Sequence, residues 1–115
     1  MTEKNVLDLY RHELESSREE HYFHYTLDGC TTLSTSEFFG RTAGLAVGLE
    51  KLGVARGDRV MLLTDNRPEW HMVDLATVDL GAADVPVYGT LTPSQISYQI
   101  KDSGSKIAIA ENADQ

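Results

Sequence analysis

The sequence predicts an α/β fold with a short parallel β-α-β-α-β core, and three observations carry it. Val60-Met61-Leu62-Leu63 and Lys106-Ile107-Ala108-Ile109-Ala110 are short, nearly continuous apolar runs, the pattern of strands buried in a parallel sheet. Helix grammar stands between the strands, with Pro68 and Pro93 at first helical positions. The connections are short, so successive strands lie parallel with right-handed crossovers.

Residues 1–34 are expected to form an appendage and residues 35–115 the α/β core, an incomplete part of a larger domain. In the appendage, Val6, Leu7, Tyr10 and Leu14 recur at helical spacing over residues 5–18, the narrow stripe of a docked surface helix. Tyr22-Phe23-His24-Tyr25-Thr26 and Thr31-Thr32-Leu33 flank Asp28-Gly29, which predicts a hairpin because glycine accepts positive φ. Ser34-Thr35-Ser36-Glu37 fits a capping box, with Ser34 accepting from a first-turn N–H and Glu37 reaching back. Phe38, Leu45, Leu49 and Leu52 then form the apolar stripe of a helix that Gly53 ends. Gly40, Gly44 and Gly48 share one face of it. Each costs about 1 kcal/mol against alanine, so that face is expected to receive another backbone closely.

Gly57 makes a turn, and Asp58-Arg59 lead into strand 60–63. Asn66 or Arg67 precedes Pro68 in a helix over 68–80. Trp70, Met72, Val73, Leu75, Ala76, Val78 and Leu80 occupy most of its circumference, so it is covered on more than one side. Trp70 is expected to be buried against the sheet, and Gly81 ends the helix. Strand 84–88 holds Pro86, which confines it to an edge, a bulge or one unpaired N–H. Thr92, Pro93 and Gln95 cap a helix lined by Ile96 and Ile100 and closed by Gly104.

Composition narrows the function. The chain has 115 residues, 10 Lys+Arg against 18 Asp+Glu, and a net charge of −8, which opposes phosphate backbones and anionic lipid. Nucleic acid is therefore not an expected partner. The single cysteine, Cys30, makes no internal disulfide, and no apolar run approaches the ~20 residues of a transmembrane segment. A cytoplasmic location is expected. The chain contains no G-x-x-x-x-G-K-[ST], no G-x-G-x-x-G and no G-x-S-x-G. His21 and His24, three apart on a strand, point to opposite faces and read as ordinary hairpin residues rather than metal ligands. His71 and Asp74 share a helix face, where a surface or capping hydrogen bond is expected rather than an acid–base pair.

Five segments in order carry a family resemblance: Leu33-Ser34-Thr35-Ser36-Glu37-Phe38, Gly57-Asp58-Arg59-Val60, Asn66-Arg67-Pro68-Glu69-Trp70, Gly81-Ala82-Ala83-Asp84-Val85-Pro86-Val87-Tyr88 and Asp102-Ser103-Gly104. From about Tyr10 onward the chain resembles the start of a long-chain acyl-CoA synthetase of the adenylate-forming superfamily. The resemblance implies a longer parent that uses ATP, Mg and CoA to convert a fatty acid to an acyl-adenylate and then a thioester. It also implies peripheral membrane association as an option for the full-length form. The family's phosphate loop, nucleotide contacts, magnesium carboxylate and catalytic lysine lie downstream of these segments. No catalytic, cofactor-binding or metal-binding residue is therefore assigned. The matched positions Ser34, Glu37, Gly57, Asp58, Asn66, Arg67, Pro68, Trp70, Gly81, Pro86 and Tyr88 carry structural roles.

Three readings follow: an inactive amino-terminal piece of a ligase, a standalone α/β binding module, and a truncated paralogue that partners a full ligase. The chain ends just past a strand, without a helix to cover it, and this favours the first. A bare second apolar side of the Trp70 to Leu80 helix, the face of Ile107 and Ile109 and an unpaired sheet edge lead to an expectation of self-association.

Overall fold

The computed structural model describes residues 5–19 and 22–115. The helix α1 (Val6–Ser16) starts at Asn5, whose side chain accepts from the Asp8 N–H. The strands β1 (Tyr22–Thr26) and β2 (Gly29–Leu33) pair antiparallel. Their turn is Leu27-Asp28, and Gly29 takes φ 138° after it. Glycine therefore relieves the exit of the hairpin turn rather than its centre. His21 lies outside the described residues.

The helix α2 (Thr35–Lys51) is capped by Ser34, whose hydroxyl accepts from Glu37 N–H at 3.0 Å. Only this half of the expected capping box forms. Phe38, Thr42, Ala46 and Leu49 are its buried face, while Leu52 is 68% exposed and lies outside the stripe. The glycine face also departs from expectation: a Cβ at Gly40, Gly44 or Gly48 would meet nothing within 4 Å. Within the described residues no backbone approaches this face.

The core sheet has the order β4-β3-β5, all parallel, from β3 (Arg59–Leu63), β4 (Ala83–Pro86) and β5 (Ile107–Ala110). Pro86 stands at the end of an edge strand, where its missing N–H costs no ladder bond. The helix α3 (Pro68–Asp79) connects β3 to β4, and α4 (Pro93–Ser103) connects β4 to β5. Alternation along β3 divides the core. Val60 packs with Ala46 and Leu49 of α2 and Ala76 of α3, while Met61 and Leu63 pack under Ile96 and Ile100 of α4. The central strand is covered on both faces, which is why its residues form an apolar run.

The wide apolar arc of α3 meets several neighbours. Met72 and Leu75 pack with Phe38 of α2 and with Leu7 and Tyr10 of α1, and Tyr22 stacks on Phe38 at 5.0 Å. The appendage is thus docked on the α2–α3 pair. At α4 the expected capping box is complete: Thr92 N–H donates to Gln95 Oε1 at 2.8 Å, Gln95 N–H to Thr92 Oγ1 at 3.3 Å, and Gly104 closes the helix at φ 64°.

Candidate functional site

Open α/β sheets bind ligands outside the carboxyl ends of their strands, because loops diverge there and leave a crevice. Here β3 runs out through Thr64-Asp65-Asn66-Arg67 and β4 through Val87-Tyr88-Gly89. Between these loops lies a groove of about 460 Å³, walled by Asp65, Asn66, Trp70, Pro86, Val87 and Tyr88. Trp70 is half-buried on this wall, not buried against the sheet as expected, with its ring 5.1 Å from that of His71. It stands in the first turn of α3 and lines the groove. Tyr88 is 80% exposed on the opposite wall.

Pro68 stands at the first position of α3 and Arg67 is its N-cap, extended at φ −154° and ψ 163°, as a residue before proline prefers. Asn66 is therefore excluded as the cap, and no side chain caps this helix. The Arg67 side chain donates instead to Glu69 Oε2 at 2.8 Å and Glu111 Oε1 at 2.9 Å. The bond to Glu69, with that to Glu111, holds the guanidinium charged and raises its pKa. Glu111, just past β5, also accepts from Asp65 N–H at 3.1 Å and Thr64 Oγ1 at 3.5 Å. The Asp65 N–H, and then Arg67, hold its carboxyl below the ordinary value.

Gly57, Asp58 and Gly81 gather at the opposite end of the sheet. Asp58 Oδ2 accepts from Ala55 N–H at 2.8 Å and from Lys106 Nζ at 3.3 Å, which lowers its pKa. Gly57 N–H donates to Gly81 O at 2.9 Å, and both glycines have positive φ. Ser34 and Glu37 stay at the start of α2. The eleven motif positions are thus not one site: Asn66, Trp70, Pro86 and Tyr88 line the groove, Arg67 and Pro68 follow its Asn66 into α3, and the rest brace other corners.

One charged pair was not foreseen. Asp74 of α3 shares a hydrogen bond with Asp84 of β4, and burial together with that neighbour pushes its pKa up to about 7. Asp74 therefore serves Asp84 and not His71, whose ring packs on Tyr22 at 5.3 Å and whose pKa burial lowers. The pairing joins residues ten apart through the α3–β4 fold-back, so no helical or strand period reveals it. Among the described residues, no group of three His, Cys, Asp or Glu could hold a metal ion.

The groove lining holds one carboxylate, Asp65, and no lysine or arginine, and Arg67 beside it is committed to two carboxylates. These residues do not fit the phosphates of ATP with Mg, and no step through that group is derived from them. Trp70 and Tyr88 give the groove two aromatic walls, and Thr64, Asp65 and Asn66 give it polar groups.

A family of nucleotide-dependent enzymes accounts for this partial architecture. The AMP-binding enzyme model matches residues 11–115, and the chain belongs to that family. It is 35% identical over 86 residues to the long-chain-fatty-acid–CoA ligase FadD15 of Mycobacterium bovis, covering 74% of this chain and 14% of the relative. An uncharacterised protein of Mycobacterium tuberculosis is 35% identical over 86 residues, 75% of this chain and 49% of its own length. The N-terminal domain of FACL13 from Mycobacterium tuberculosis superposes with a TM-score of 0.83 at 30% identity, over 94% of this chain and 27% of that one. The chain thus spans about half of the shorter relative and a small part of the ligases. Its fold is the start of an adenylate-forming N-terminal domain. No described helix is long and apolar enough to cross a membrane.

Proposed function

We propose that the chain is the amino-terminal structural portion of a cytoplasmic long-chain fatty acid–CoA ligase, which uses ATP and Mg to make an acyl-adenylate and transfers the acyl group to CoA. The observation that carries this reading is the similarity to FadD15 and the FACL13 domain, with the chain covering 14% and 27% of them. Residues 1–34 act as an appendage and 35–115 as the incomplete core. The bare groove and the free edge of β5 are then surfaces for the remainder of the ligase, and in its absence for self-association. The motif residues support the scaffold, and the chain alone forms no adenylate.

Two measurements test this. Fatty-acid-dependent pyrophosphate exchange by the purified chain would refute its inactivity. An antibody against the chain should detect a ligase-sized protein in the source cells; a 12.8 kDa band alone would remove the ligase reading. The half-covered uncharacterised relative favours a second reading, a short non-catalytic module, which that band would support.

A further inference from the structure

We infer that Glu111 is the positioning residue of the groove: from the exit of β5 its carboxylate holds the Thr64–Arg67 loop and thereby sets where Asn66 and Trp70 stand. Locally the loop is tied by Thr64 Oγ1 donating to Asp65 O at 3.2 Å and by Arg67 donating to Glu69 Oε2 at 2.8 Å. Pro68 supplies no N–H, and Arg67 is in extended backbone ahead of that proline. The Asp65 N–H donates to Glu111, 46 residues away, at 3.1 Å. The Arg67 guanidinium is turned to the same carboxylate at 2.9 Å. Bonds to an ionised group are short and strong, and here both are made to one side chain.

The register explains how Glu111 arrives there. Leu63 pairs with Ala110, and Glu111 N–H donates to Leu63 O at 3.0 Å, so the first side chain after β5 stands beside the first loop residues after β3. The groove lies between the exits of β3 and β4, yet one of its walls is anchored from β5, on the other side of β3. A shift at the β5 exit is therefore felt by Asn66 and Trp70. This holds whether or not the chain is part of a ligase.

Amide hydrogen exchange on the purified chain tests the assignment, with the single tryptophan, Trp70, as a second reporter. In Glu111→Ala, exchange at Asp65 should accelerate about tenfold, while Met61 and Leu62 in β3 stay within about twofold of the parent. Added formate, a free carboxylate, should restore both the Asp65 protection and the Trp70 emission of the parent. Glu111→Gln keeps one acceptor oxygen and should fall between. Unchanged Asp65 protection in both variants would overturn the inference, as would no response to formate. Equal loss of protection in β3, or global unfolding of Glu111→Ala, would also overturn it, because the carboxylate would then hold the sheet rather than the loop.

Discussion

The two ends of the β4-β3-β5 sheet use the same kinds of residue to opposite effect. At the amino end, Arg59 donates to Ser103 O at 2.6 Å and Gly57 O at 3.0 Å, and Lys106 donates to Gly53 O at 2.6 Å. Both cations there end on backbone carbonyls at turns and at the end of α4, and positive-φ glycines let the chain close at these points. At the carboxyl end, Arg67 and Glu111 hold a loop open beside an aromatic groove. Tied turns secure the fold, and a propped loop leaves surface free for something else.

The amino end should be the more sensitive to substitution. Gly104 has φ 64°, and a Cβ there would stand 2.7 Å from the Arg59 guanidinium. Gly104→Val should cost about 2–3 kcal/mol in urea unfolding, since left-handed backbone is worst for a β-branched residue and Arg59 must leave its two carbonyls. A loss below about 1 kcal/mol would mean that this end is not tied as described.

At the carboxyl end the largest side chain should matter less. A fully buried tryptophan costs ~3–5 kcal/mol on truncation, whereas half-buried Trp70→Ala should cost about 2 kcal/mol and leave a folded chain. Thermal unfolding reads this directly. Loss of the whole cooperative transition would restore Trp70 to the core and remove the contrast between the ends.

The smallest effect is a pH dependence that separates the ends from the middle of the sheet. Asp58 at one end and Glu111 at the other have lowered pKa values, so their contributions are present above the unfolded value and fade as pH falls through the folded one. Asp74, between them, has the opposite sign. Raised to about 7 from 3.8, it favours the fold fully below pH 4, and that contribution is lost as pH rises through 7. Because the pair is partly solvated, the loss should be only about 1 kcal/mol. Asp84→Asn should flatten stability between pH 4 and 7 and leave the chain more stable than the parent at pH 8. An unchanged slope would show that the two carboxyls do not share a proton.

Local chemistry made much of this molecule legible. Thr92-Pro93-Ser94-Gln95 specifies a helix start through bonds spanning three residues, and that box forms in full. The apolar run of β3 announced burial on both faces, and Pro86 narrowed its strand to an edge, a bulge or an unpaired N–H, of which the structure has the edge, because each depends on the residue's own shape and donors. The groove was only half legible. Its wall residues stood out as a motif, but Trp70 appeared buried because periodicity reports which helix face is apolar and not where the sheet beneath it stops.

By itself, then, the sequence determined the order and type of the elements, the parallel core and the family, since caps, turns and strand periods act within a few residues. Tertiary structure alone decided that Glu111 meets Asp65 and Arg67, that Asp74 meets Asp84, and that the glycine face of α2 meets nothing among the described residues. Those outcomes depend on strand register and on how helices seat against the sheet, which bring together residues that no local period relates.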